Sequence, residues 1–248
     1  MPLPVAEFTA QLLKEAQGTH PWLHHPLFRK MADGELSKRQ VQQIILQQGC
    51  FFLDTLRHAA WKIISVGGDT PTYEDLERQR ALIPLVVEEG GHDTIGGKQT
   101  AHAFLFVRLC EGIGLTRDQV FNTEYLPTTI IEKNELFLLQ RSSTVEALCG
   151  GNIATESINA GVCQRLAAAM EKHYGVPGNA LDFYREHMEV EGDHSDRAVH
   201  ILSKVAVTDE EQKRGFLALR RAITARRICV EGMYEAFVKD RKEIGHGR

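Results

Sequence analysis

Apolar residues recur along this chain at the helical spacing i, i+3, i+4 and i+7, and no stretch shows convincing strand alternation. Gly and Pro residues divide the pattern into long segments, some of which follow a capping residue such as Ser37 or Thr70. The longest predicted helices cover residues 37–66, 70–89, 144–174, 179–206 and 208–239. No repeat, linker or low-complexity tract separates the segments, so the sequence predicts a single all-α domain of about eight helices over residues 1–248.

The composition is that of an ordinary globular protein: 248 residues, 43% hydrophobic and 25% charged, with a formal net charge of -4. A mildly acidic chain without a Lys/Arg block is not expected to bind nucleic acid or an anionic membrane. Five widely spaced Cys residues form no CxxC pair, which favours a reducing compartment. Because no run of about 18 apolar residues occurs, we expect a cytoplasmic protein.

Eleven His residues are numerous beside five Tyr and two Trp, and imidazole is the commonest metal ligand in proteins. The spacing in 187–194 places His187, Glu191 and His194 within an arc of about 60° on one helix. Two imidazoles and a carboxylate on one face can bind a transition metal, and flanking apolar residues favour an inward orientation. The alternative is a solvated acidic face, since several Glu and Asp residues are close by.

Three further side chains lie on otherwise apolar helix faces. Glu89 shares a face with Leu82 and Leu85, His102 lies in an apolar segment, and Glu156 lies among small apolar residues. A buried ionised carboxylate needs a partner, and a metal is the most effective one. A hydrogen-bonded core residue would explain each position alone, but three such helices together favour a shared site.

Together these residues supply three carboxylates and three imidazoles. This mixture suits two Fe or Mn ions and lacks the thiolates of structural zinc. A ferritin-like bundle with paired ExxH motifs is disfavoured, because Gly90 and Gly91 break the helix between Glu89 and His92. The six predicted ligands are Glu89, His102, Glu156, His187, Glu191 and His194.

The helix order and several short motifs carry a resemblance to a known superfamily. The motifs are EEGGH at 88–92, AH at 101–102, ATE at 154–156 and HxxxExxH at 187–194. They resemble the haem-oxygenase-like di-metal oxidases and oxygenases, which are related in fold to thiaminase II and pyrroloquinoline quinone synthase. The resemblance spans nearly the whole chain and implies that the same six residues bind two irons.

This chain departs from the family pattern at two places. Members usually have Asp at the position of Glu191, whose longer carboxylate would still reach a metal. The loop between Glu89 and His102 varies in length among members. That variation leaves Glu88 and His92 open as alternative ligands.

The resemblance implies a haem-oxygenase-like bundle that binds two Fe(2+) ions per chain and uses O2 to oxidise a small amino-acid-derived substrate, often in a natural-product pathway. Implied outcomes include C–C cleavage, decarboxylation and N-oxygenation. Mn in place of Fe and a homodimer are left open. One alternative is a metal-free thiaminase II-like hydrolase with Cys149 or Cys163 as nucleophile, and another is an oxidase like pyrroloquinoline quinone synthase. A third is a non-enzymatic iron-binding helical protein.

Other polar residues receive local interpretations. Asp54 and His58, four residues apart on one helix, are interpreted as a hydrogen-bonded pair rather than as substrate contacts. The pairs at 220–221 and 226–227 are interpreted as a solvated Arg-rich helix face, although one Arg would be suited to hold a substrate carboxylate.

Overall fold

The computed structural model describes residues 1–66, 70–91 and 101–239, but not the side chains of residues 189–197. Over these ranges the chain is helical apart from turns and caps, and no strand occurs within them, as the all-α pattern predicts. None of the helices in the described ranges is both long enough and apolar enough to cross a membrane.

The structure has more helices than the predicted number of about eight. The long helix predicted over 37–66 is divided at Leu53 and Asp54, and the helix predicted from Thr144 is interrupted by a π-helical segment, Leu148–Ile153. In chain order the α-helices are α1 (Val5–Thr19), α2 (Pro21–His24), α3 (Pro26–Ala32), α4 (Lys38–Phe52), α5 (Thr55–Ile64), α6 (Tyr73–Glu89), α7 (His102–Gly112), α8 (Arg117–Phe121), α9 (Pro127–Gln140), α10 (Thr144–Ala147), α11 (Ala154–Tyr174), α12 (Asp182–Val205) and α13 (Asp209–Phe237).

Side-chain caps explain where two of the helices that surround the site begin. Ser37 begins α4 as predicted, in a reciprocal capping box with Gln40. Helix α6 begins directly after Thr72 rather than after Thr70, because Thr72 forms a capping box with Asp75. The shift changes only the start of α6, and its end at Glu89 is as predicted.

Two apolar cores border a cavity that is lined by both polar and apolar side chains. The first contains Phe106 and Leu109, and the second contains Leu82 and Leu219, all at most 1% exposed. Burial of each such side chain contributes about 1.5–3 kcal/mol. Phe51 packs against both cores and lines the cavity between them. The cavity is therefore held between two well-packed halves of the bundle.

Candidate functional site

The cavity between the two cores brings together four of the six predicted ligands: Glu89, His102, Glu156 and His187. They come from α6, α7, α11 and α12, so residues far apart in sequence meet at one place. The cavity has a volume of about 50 Å³ and opens to solvent. Its other polar lining residues are Thr55, His58, Lys62, Gln140, Thr155 and Asn159.

Glu89 and His102 meet because α6 ends and α7 begins at the cavity wall. Glu89 Oε2 and His102 Nδ1 lie 3.0 Å apart. Burial alone would raise the pKa of the Glu89 carboxyl, but the charge of His102 lowers this pKa to about 2. Burial opposes the charged imidazole, yet Glu89 raises the pKa of His102 above its usual value.

This close contact lacks the alignment of a hydrogen bond. Within the described part of the chain, Glu89 Oε2 and His102 Nδ1 are both buried polar atoms without a hydrogen bond. Buried polar atoms are normally hydrogen-bonded, and each exception calls for an explanation such as an ion. A carboxylate oxygen and an imidazole nitrogen this close form an ion pair while the imidazole is protonated, and both can coordinate a metal ion once the proton is lost.

His187 is oriented by its own helix. Its Nδ1 lies 2.6 Å from the Phe183 carbonyl oxygen, and its ring centroid is 4.8 Å from that of His102. Because a carbonyl oxygen only accepts, Nδ1 carries the hydrogen. A neutral His187 therefore has its lone pair on Nε2, which is the form in which a metal-binding imidazole is usually held.

Glu156 is held by a short chain of polar side chains that begins at Lys62. Lys62 Nζ donates to Asn152 Oδ1 at 2.7 Å, and Asn152 Nδ2 lies 2.9 and 2.8 Å from the two oxygens of Glu156. Asn152 belongs to the π-helical segment Leu148–Ile153 directly before α11. Single-turn π-helices are frequent at functional sites.

A glycine allows this π-helical segment to lie deep in the bundle. A Cβ on Gly150 would come within 2.7 Å of Leu139 Cδ1 and 3.3 Å of the Ala218 carbonyl oxygen. A larger residue would therefore push the segment away from α9 and α13. The close approach keeps Asn152 and Glu156 at the cavity wall.

The interpretation of Asp54 and His58 as a local pair is wrong. Asp54 is paired with Lys133 at 2.9 Å, and His58 Nδ1 is hydrogen-bonded to Gln140 Oε1 across the cavity wall. Burial lowers the pKa of His58, and the hydrogen bond to Gln140 partly opposes this effect. Lys62, four residues later on the same face of α5, also lines the cavity.

Sequence reasoning missed the polar residues that surround the candidate ligands. The one available signal was the i, i+4, i+8 spacing of Asp54, His58 and Lys62, which points polar groups along one face of α5. Gln140 and Asn152 reach the cavity only through the packing of α9 and of the π-helical segment. No local pattern marks them.

Glu191 and His194 belong to α12, which runs without a break from Asp182 to Val205, but their side chains lie outside the described residues. His92 also lies outside them, whereas Glu88 is buried and stays open as a ligand. No group of three His, Cys, Asp or Glu side chains in the described part is arranged to hold a metal ion. The full six-residue set therefore stays a prediction.

The donor chemistry nevertheless fits iron. The four side chains at the cavity provide two carboxylates and two imidazoles, which are ligand types that suit Fe and Mn. The unaligned contact of Glu89 with His102 and the fixed tautomer of His187 are consistent with the same assignment.

Neither of the cysteines considered as nucleophiles lines this cavity. Cys149 is 0% exposed, and burial strongly raises the pKa of its thiol. Cys163 lines a neighbouring apolar cavity together with Phe183, Tyr184 and His187. A thiol that stays protonated and buried is a poor nucleophile.

Solved structures with the same fold are found in several bacteria. The chain superposes on a CADD-like protein of unknown function from Nostoc punctiforme with a TM-score of 0.74 at 17% identity, covering 94% of this chain and 98% of that one. A TenA homologue from Pseudomonas syringae gives 0.70 at 14% identity, covering 94% and 93%. A domain of unknown function with a haem-oxygenase-like fold from Shewanella denitrificans gives 0.69 at 15%, covering 94% and 91%. The predicted haem-oxygenase-like fold is confirmed.

Two curated proteins are distant relatives in sequence. The bifunctional coenzyme PQQ synthesis protein C/D of Methylorubrum extorquens is 23% identical over 218 residues, covering 86% of this chain and 55% of that protein. The chain thus spans about half the length of that relative. The 4-aminobenzoate synthase of Nitrosomonas europaea is 23% identical over 226 residues, covering 87% of this chain and 86% of that protein.

A family profile matches most of the chain. Residues 51–227 match the family described as iron-containing redox enzymes. The matched region contains all six predicted ligands and the whole of helices α6, α7, α11 and α12. The chain therefore belongs to the family of iron-containing redox enzymes.

Proposed function

We propose that this protein is an O2-dependent non-haem di-iron oxidase or oxygenase that acts on a small amino-acid-derived metabolite. The observation that carries the proposal is the meeting of Glu89, His102, Glu156 and His187 at one cavity between two apolar cores. Membership of an iron-containing redox family supports the choice of metal. The number of irons, the use of O2 and the substrate class are parts of this proposal.

Glu89, His102, Glu156 and His187 would hold the irons, together with the predicted ligands Glu191 and His194. When bound, iron would supply the electrons and the coordination site that O2 needs to react with an organic substrate. The apolar side chains that line the cavity, among them Phe51, Phe52 and Leu85, limit the access of water to the site.

Groups of the chain itself, one side chain and one backbone carbonyl, hold two of the candidate ligands before any substrate binds. The Asn152 amide fixes both oxygens of Glu156, and the Phe183 carbonyl fixes the ring of His187. Such partners orient metal ligands and adjust their basicity.

Iron binding and O2 consumption test this function. After anaerobic loading with Fe(II), we expect the wild-type protein to hold two irons per chain and to consume O2 faster when the right amino acid is present. His102→Ala and His187→Ala should each lower the iron content, which elemental analysis measures. His200→Ala is the matched control, because His200 is exposed on the same helix as His187.

Retention of two irons and full turnover by both cavity variants would contradict the assignment. Iron uptake without substrate-accelerated O2 consumption would favour the iron-binding alternative. Iron-independent hydrolysis that is lost in Cys149→Ser would favour the hydrolase. The cytoplasmic location, the homodimer and the natural-product pathway stay predictions.

A further inference from the structure

Lys62 is a buried cation that faces the cavity of the candidate ligands. It is 7% exposed, and its Nζ donates one hydrogen bond, to the neutral amide oxygen of Asn152 at 2.7 Å. An ammonium group has three donors, so two remain for other partners. In the described part of the chain no carboxylate lies within ion-pair distance of Nζ. Because burial of a cation without a counter-charge is unfavourable, this position favours an anion.

Gln140 adds a second donor at the same place. It is 3% exposed, and its Oε1 accepts a hydrogen bond from His58 Nδ1. Because the oxygen is engaged by His58, the amide NH2 group is the part of Gln140 that remains for a ligand. His58 thus determines which end of the Gln140 amide is presented to the cavity.

Gly151 leaves the space that these two donors share. A Cβ on Gly151 would lie 3.6 Å from Lys62 Nζ and 3.6 Å from Gln140 Nε2. The ammonium and the amide therefore converge on one small volume beside the backbone of the π-helical segment. This volume belongs to the cavity that Lys62, Gln140 and Gly151 line together with Glu89 and His102.

We propose that Lys62 and Gln140 bind the carboxylate of the substrate in the space beside Gly151. The inference rests on the proposed function, because the subsite shares the cavity of the candidate ligands. One cation and one amide NH2 match a singly charged carboxylate. A phosphate would bring a second negative charge into a cavity that already contains Glu89 and Glu156. The substrate is therefore a carboxylic acid whose remaining atoms extend toward His102 and His187.

The binding test uses matched pairs of acids and their carboxamides. The probes are 3-phenylpropanoate, butanoate and L-phenylalanine, each with its amide, titrated calorimetrically into the full-length protein with and without Fe(II). We expect wild-type protein to bind at least one acid tenfold or more tightly than its amide, and this preference should persist without iron. Lys62→Met should abolish the preference, whereas Lys62→Arg should keep most of it.

Gly151→Ala provides a variant that leaves every charge in place. The added Cβ meets Lys62 and Gln140 only at ordinary contact distance, so the protein should fold, but the methyl group occupies the proposed carboxylate space. We expect it to weaken acid binding tenfold or more. Gly161→Ala is the control, since a Cβ at Gly161 meets nothing within 4 Å.

The outcomes separate this inference from the proposed function. The subsite is overturned if wild-type protein prefers none of the acids over its amide, or if Gly151→Ala and Lys62→Met keep the preference. If the wild-type protein binds no iron but still prefers an acid over its amide, the di-iron function is overturned and the carboxylate subsite stands.

Discussion

Lys62 on α5 and Arg226 on α13 are both buried cations, with 7% and 0% exposure, but their surroundings differ. Arg226 Nε lies 3.3 Å from Glu132 Oε1, and its guanidinium lies over the rings of Trp22 and Phe51 at 4.5 and 5.5 Å. The interpretation of Arg226 as part of a solvated face is therefore wrong. A carboxylate and two aromatic rings of the chain itself lie against this cation and offset part of the cost of its burial.

Lys62 has a neutral partner, Asn152, and borders an open cavity. The role of a buried cation therefore depends on the groups that surround it. Where the chain supplies the counter-charge, as at Arg226, the cation stabilises the fold. Where the chain supplies only a neutral amide beside an open cavity, as at Lys62, the cation is available to a ligand.

The largest effect is expected at Arg226. Arg226→Ala leaves Glu132 without its partner and opens a space beside Trp22, so we expect it to lower the free energy of unfolding by about 3–5 kcal/mol. Urea denaturation measures this change. The double variant Arg226→Met with Glu132→Leu should recover most of the loss, because no unpaired charge remains. A loss below about 1 kcal/mol in the single variant would remove the contrast with Lys62.

Asn152 connects the Lys62 region to the candidate metal site. Asn152→Ala removes the amide that holds both oxygens of Glu156, and loss of such a supporting partner typically weakens metal affinity about 10- to 100-fold. Competition with a chelator measures the affinity for Fe(II). Asn122→Ala, on the surface, should leave it unchanged. Unchanged affinity in Asn152→Ala would argue that Glu156 is not a ligand.

His20 reports on the Arg226 region through its pH dependence. Burial and the charge of Arg226 hold the pKa of His20 well below its usual value. In the unfolded chain His20 takes up a proton near pH 6.5, whereas in the folded chain it does not. The stability that is present above pH 6.5 is therefore lost as the pH falls. We expect the free energy of unfolding to decrease by about 1 kcal/mol between pH 7 and 5.5. His20→Asn keeps an acceptor for the backbone N–H of Trp22, and its stability should change less with pH than that of the wild-type protein. If wild-type protein and His20→Asn lose stability equally as the pH falls, a group other than His20 takes up the proton.

The smallest effect is expected for the stability of Lys62→Met. Removal of a buried ammonium is favourable, while the loss of one hydrogen bond to Asn152 is unfavourable, so the free energy of unfolding should change by less than about 1 kcal/mol. Thermal and urea denaturation measure it. A loss above about 3 kcal/mol would show that Lys62 stabilises the fold in the same way as Arg226.

The sequence predicted what depends on periodicity and on unusual residues in an apolar context. Helical spacing indicated the all-α fold, and the apolar faces around Glu89 and Glu156 indicated that they point inward, to the cavity that both line. Each of these signals lies within one helix. They identified the four ligand candidates that the structure brings together without any knowledge of how the helices pack.

What the sequence could not predict depends on contacts between helices. Arg226 is buried because Trp22 and Phe51 cover it, and neither residue is near it in sequence. Gln140 reaches the cavity because α9 packs beside His58. The division of the helix predicted over 37–66 was missed because no Gly or Pro marks the break.

The π-helical segment Leu148–Ile153 also determines the rotation of α11 about its own axis. Each residue of an α-helix turns the chain by about 100°, so the wider turn ahead of α11 determines which of its side chains faces inward. Deletion of a single residue from the segment would rotate α11 by about that angle and turn Glu156 away. The direction of this carboxylate is thus encoded by the length of a six-residue segment, and an insertion or deletion there would turn Glu156 away from the cavity without substituting it.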